Sequence, residues 1–149
     1  MDGRTTTERR GLRFLQTSVA LQTAAVFFQA VTAGLLLSSP SQEVLHSVGA
    51  RVMYGASMLY VLAAVLAWRP GGASPRRILH ASGFLALASV QVVLGIAHRP
   101  SLHVPLGILM FGLSLLDLAR ALSTRAPGHV AAEDDPPAPA RQWARGRAH

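Results

Sequence analysis

Long apolar blocks and short polar breaks alternate along the chain. Four blocks stand out: Phe14 to Leu37, Leu45 to Trp68, Ile78 to Ala97 and Leu102 to Ala121, the first without a single charge. About 20 helical residues rise about 30 Å, the depth of a bilayer's hydrocarbon core, so each block is long enough to cross a membrane. The breaks between them are Ser38-Ser39-Pro40-Ser41, Pro70-Gly71-Gly72-Ala73-Ser74-Pro75 and His98-Arg99-Pro100-Ser101, all rich in turn formers. In lipid a spanning segment must satisfy its own backbone hydrogen bonds, so the blocks predict helices. Short connections make consecutive helices antiparallel neighbours. The predicted fold is all-α: an integral-membrane, up-down four-helix bundle over residues 14–122. A cleaved signal peptide is the competing reading of the first block. Its apolar core is too long for one, and Pro40 spoils the small-residue cleavage site, so an uncleaved span is expected.

Composition agrees and removes several classes of chemistry. Half the residues are apolar, 14% are charged and the mean hydropathy is +0.34, which excludes an ordinary soluble domain. There is no Cys, so disulfides, thiolate catalysis, iron–sulfur clusters and covalently attached haem are all excluded. No Walker loop, dinucleotide fingerprint, zinc-protease helix or Ser-His-Asp set is present, which leaves hydrolase and NTPase readings without residues.

The net charge of +7 and the pI near 11.6 suggest nucleic acid until the charges are placed. Every basic residue is Arg. Arg4, Arg9, Arg10 and Arg13 precede the first block, Arg69, Arg76 and Arg77 fill the second connection, and Arg120, Arg125, Arg141, Arg145 and Arg147 follow the fourth. The first connection has none and the third only Arg99. This one-sided pattern is a topology signal that places both termini in the cytoplasm, at the inner membrane of a cell. Anionic lipid headgroups are the natural counter-ions, and no nucleic-acid partner is expected. Residues 1–13 read as a basic cytoplasmic segment. Residues 123–149, with Glu133-Asp134-Asp135-Pro136-Pro137 and few apolar positions, read as a disordered cytoplasmic tail.

The second and fourth blocks repeat one another. Leu45-His46, Met53-Tyr54-Gly55, Ser57 and Leu59 match Leu102-His103, Met110-Phe111-Gly112, Ser114 and Leu116 at identical offsets. The first and third blocks carry a weaker echo, Gln29 near Gly34 and Gln91 near Gly95. A duplicated two-helix hairpin explains this, and its two copies would point the same way. His46 and His103 then lie at equal depth near the outer face, on diagonal helices about 11–14 Å apart axis to axis. Two inward imidazoles across that gap suit a single haem iron in axial positions, and bundle cores host such sites. Gly49, Ala50, Met53 and Ser57 continue the His46 face, while Gly107, Met110 and Ser114 continue the His103 face. Arg51, about 7.5 Å inside its helix, needs a partner or a route to the interface, and a haem propionate is one candidate. Glu43, one turn outward of His46, is a candidate acceptor for the ring N–H or a base at the site.

At these residues the chain resembles one half of a haem A synthase. The match is carried by Glu43-Val44-Leu45-His46, Gln91-Val92-Val93-Leu94-Gly95 and Leu102-His103, within about Phe14 to Leu122. The resemblance implies axial ligation by His46 and His103 and an acid/base role for Glu43. The chain is half the family's length and has no outer-loop cysteine pair. It also resembles small bacterial four-span membrane proteins with the same His and Gln pattern, for which no activity is implied.

Plainer readings stand beside each of these. His46 and His103 also fit interfacial histidines at helix ends. Glu43 also fits a carboxylate on a helix N-terminus, and Arg51 a side chain snorkelling to the headgroups. His80 and Asp117 match in depth near the inner face, where they suit an inner site or proton relay, unless Asp117 simply pairs with Arg120. Gln16, Gln22 and Gln29 suggest a polar stripe of interhelical hydrogen bonds. The expectation is a protein binding haem b for electron transfer or haem modification, the alternative a non-catalytic accessory subunit. Whether it is an enzyme stays open, and either a second copy or a larger membrane complex would suit a half-length bundle.

Overall fold

The computed structural model describes residues 6–69 and 73–123. The expected tail, the arginines beyond Arg120 and Arg4 lie outside the described residues. The described residues form four α-helices: α1 (Thr6–Ser38), α2 (Glu43–Trp68), α3 (Arg76–Ile96) and α4 (Pro100–Ser123), with a 3₁₀ turn at Pro40–Gln42 before α2. All four are long and apolar enough to cross a membrane. Large apolar side chains such as Leu37, Leu79, Ile96 and Ile108 face outward from every helix. Such a surface is at home in lipid and costly in water.

Helix ends differ from the apolar blocks for identifiable reasons. The helix α1 begins at Thr6, not Phe14, because helical backbone continues into the polar Arg-rich turns. Glu8 favours that start through the macrodipole, and Gly11 packs against the Ala67 backbone of α2, where an added Cβ would sit 3.7 Å from the Cα. Glu43 does the same for α2, and Pro100 opens α4, where its missing N–H costs nothing. Pro105 lies deeper, inside α4, and frees the Ser101 carbonyl where the helix end is exposed.

Packing is between sequence neighbours and between the first and last helices: α1 with α2, α2 with α3, α3 with α4 and α4 with α1. Gln29 meets His46 while Gly11 meets Ala67, so α1 and α2 run in opposite senses. Likewise Gln16 Nε2 donates to the Ala121 carbonyl at 2.9 Å and Thr23 Oγ1 to that of Ser114 at 3.1 Å, pairing α1 oppositely with α4. Tyr54 and Ser89 hydroxyls, 3.2 Å apart, join α2 to α3.

The interior has two apolar layers. Leu15, Val19, Tyr60, Ala63, Ala64, Ala67, Ala81 and Ala121 form one, and Ala25, Val26, Met53, Phe84, Ala88 and Met110 the other. Ser18, Gln22, Thr23, Ser57 and Ser114 are buried polar residues of α1, α2 and α4. Their hydroxyls are satisfied by carbonyls of their own helix three or four residues back. The expected glutamine stripe is realised at Gln16 and Gln29. Gln22, 1% exposed, has no hydrogen-bond partner for either amide atom among the described residues.

The tight turn from α3 to α4 is closed by backbone. Arg99 N–H bonds the Leu94 carbonyl at 3.0 Å and His98 N–H that of Gly95 at 3.1 Å, the paired bonds of a Schellman cap. That motif demands a left-handed residue, and His98 supplies it at φ 51°. A non-glycine residue there costs about 1–2 kcal/mol of backbone strain. His98→Gly is therefore expected to leave the melting temperature of the detergent-solubilised protein unchanged or raised, and His98→Val to lower it.

Candidate functional site

The two histidines singled out in the sequence are brought together. Their ring centroids lie 6.2 Å apart with the planes at 69°. Each histidine is anchored at its main-chain carbonyl by a glutamine on the preceding helix. Gln29 Nε2 donates to the His46 carbonyl at 3.2 Å, and Gln91 Nε2 donates to the His103 carbonyl at 2.9 Å. Glycine makes room for both carboxamides. A Cβ on Gly49 would overlap Gln29 Oε1, and one on Gly107 would come within 2.9 Å of Gln91 Nε2.

Hydrogen bonding fixes the tautomer of His103. Its Nδ1 lies 3.1 Å from the Gln91 main-chain carbonyl, which only accepts, so in the neutral ring Nδ1 carries the proton and Nε2 the lone pair. His46 Nδ1 lies 3.1 Å from Thr32 Oγ1, a hydroxyl that is also 3.0 Å from the Gln29 carbonyl and can serve the ring as donor or acceptor. The two halves then differ. Gln29 Nε2 is 3.2 Å from both His46 ring nitrogens, a position over the ring face and off the axis of either lone pair. No described group bonds His103 Nε2, and Gln91 Oε1 is buried without a partner.

A cavity of about 300 Å³ adjoins the rings. Val26, Gln29, Ala30, Ala33, Gly34 and Leu37 of α1 form one wall, and His103, Val104, Gly107, Ile108, Met110 and Phe111 of α4 the other; His46 and Met53 of α2 and Gln91 of α3 close it. Met53 and Met110, each one register position along the repeat, both line it. Below, Phe27 and Phe111 touch at a centroid distance of 5.9 Å.

With metal–nitrogen bonds of about 2.0–2.1 Å, two imidazoles holding one metal ion would have centroids about 6–6.5 Å apart. The observed 6.2 Å fits that spacing, and His103 Nδ1–H is anchored to an oxygen as in ligating histidines. The cavity is at the lower bound of ligand pockets, about 300–1,000 Å³, so a macrocycle held by His46 and His103 would extend beyond it. Among the described residues no cluster of three or more His, Asp or Glu is placed to hold a bare metal ion.

Other expected site residues are elsewhere. Arg51 is exposed and absent from the cavity wall. Five residues beyond His46, it is about 140° round the helix from it, whereas Met53 returns to the same face. Glu43 is exposed on the first residue of α2 and bonds neither ring; Thr32 and Gln29 occupy that role. At the inner end, Asp117 Oδ1 lies 3.5 Å from Arg120 Nη1, and His80 Nδ1 donates to the Arg76 carbonyl at 2.6 Å, so no hydrogen bond joins His80 to Asp117. Thr32 was not legible as a site residue, although its position three residues after Gln29 puts it on the same face.

No family model, no curated protein and no solved structure matches this chain.

The glycine cradle yields a contrast. Gly49→Ala forces the Gln29 carboxamide off His46 and is expected to destabilise by about 1–3 kcal/mol. Gly55 has open space where a Cβ would stand, so Gly55→Ala is expected to stabilise by up to about 1 kcal/mol through helix propensity. Denaturation of both variants in mixed micelles measures the difference.

Proposed function

We propose that this chain is a multi-pass membrane protein of the inner membrane that binds one b-type haem between His46 and His103 and serves electron transfer. The observation that carries this reading is the approach of the two imidazole rings to 6.2 Å at the wall of one cavity. The architecture we infer is an up-down bundle made from a duplicated two-helix hairpin. Its support is the recurrence of one contact, glutamine amide to histidine carbonyl, in both helix pairs, with Met53 and Met110 buried alike and Ser57 and Ser114 buried alike. Arg9, Arg10, Arg13, Arg69, Arg76, Arg77 and Arg120 gather at one end, which we take as cytoplasmic. The histidines then sit near the outer face.

When bound, haem iron supplies one-electron redox chemistry. The protein's part is to hold the two imidazoles, keep water out with Val26, Met53, Met110 and Phe111, and set a low-dielectric surrounding. A haem-modifying enzyme in the manner of the haem A synthases is less well supported. No carboxylate lines the cavity among the described residues, and Glu43 stands apart from it.

A structural role without cofactor has one observation in its favour: the His46 ring is already held, by Thr32 at Nδ1 and by the Gln29 amide against it. The reduced-minus-oxidised spectrum of the purified protein separates the two readings. Haem binding is expected to give sharp b-type Soret and alpha bands, lost or converted to a five-coordinate form in His46→Ala and in His103→Ala. A featureless spectrum after haem supply during expression overturns the proposal and leaves an accessory subunit.

A further inference from the structure

The seam between α1 and α4 is closed at one end and open at the other. Gln16 with Ala121, Thr23 with Ser114 and Phe27 with Phe111 fasten it through its inner and middle parts. Beyond Phe27 the cavity takes over, and its walls include residues exposed on the outer surface: Ala30, Gly34 and Leu37 on α1, Val104 and Ile108 on α4. The other seams are bridged by polar contacts: Gln29 joins α1 to α2, Tyr54 and Ser89 join α2 to α3, and Gln91 joins α3 to α4. The opening therefore faces sideways, toward the acyl chains that surround a spanning helix. Small residues at Ala30, Ala33 and Gly34 repeat at helical spacing along its edge.

What lies at the end of that opening is polar and unsatisfied. Gln91 lines the cavity, is 8% exposed and has no partner for Oε1. His103, whose Nδ1–H is held by the Gln91 main-chain carbonyl, lines the cavity with it.

We propose that haem enters and leaves this site from within the bilayer, through the α1–α4 seam. The inference rests on the haem reading above. A macrocycle is flat and apolar except for its propionates, so lateral entry spares it a passage through water.

The chain has no cysteine, which permits a clean test by introduced pairs. Ala33→Cys with Val104→Cys, joined by a flexible bismaleimide, ties the mouth shut; Tyr54→Cys with Ser89→Cys ties the α2–α3 seam as a control. The apo-protein in liposomes preloaded with haem is followed by absorption, with transfer to an apo-globin as the reverse assay. Linking the mouth first is expected to abolish uptake, and linking it after loading to trap the haem, while the control link changes neither. Normal uptake through a linked mouth overturns the lateral route. Failure of the unlinked, unsubstituted protein to take up haem overturns the haem reading and this inference with it.

Discussion

A polar group in hydrocarbon must find its partner inside the protein, and the arrangement of these helices follows from how a few carboxamides and hydroxyls meet that demand. Gln29 and Gln91 reach across to the first turns of α2 and α4 and bond the carbonyls of His46 and His103. Each contact fixes the relative height of two helices and holds a ring in place. The glycines opposite, Gly49 and Gly107, are what allow the helices to approach closely enough for the amide to reach. Removing either side of this fit leaves a buried amide or carbonyl without compensation, which is costly where no water can substitute.

The four helices were legible because a spanning segment leaves a coarse signature: length, apolarity and breakers at both ends. The pairing of His46 with His103 was legible through the repeat, since equal offsets imply equal depth. Finer features were less so. The start of α1 at Thr6 could not be read from apolarity, because charged turns beyond the membrane remain helical. Arg51 and Glu43 attracted attention by their type, but a side chain's direction depends on helical phase, and phase turns Arg51 to the outside. Thr32 carries no signal of its own in an apolar helix; only the fold shows that its hydroxyl faces His46.

The two helix pairs are alike in plan and unlike in detail. Three residues after Gln29 stands Thr32, and three residues after Gln91 stands Leu94. That difference removes one hydroxyl from the second pair. His103 turns its Nδ1 instead to the main-chain carbonyl of Gln91, and Gln91 keeps an oxygen with nothing to accept from. A repeat thus yields two rings in unlike surroundings, one touching a hydroxyl and a carboxamide and the other a main-chain carbonyl.

The imidazole pair also says something about how the molecule is put together. Each glutamine–histidine clasp lies within two consecutive helices and can form as soon as that pair has entered the bilayer. The ring-to-ring approach spans the halves and exists only after they dock. A ligand held by both rings would therefore act as a latch on the finished assembly: it binds the docked state, shifts the equilibrium toward it by mass action, and leaves an undocked nascent chain empty-handed.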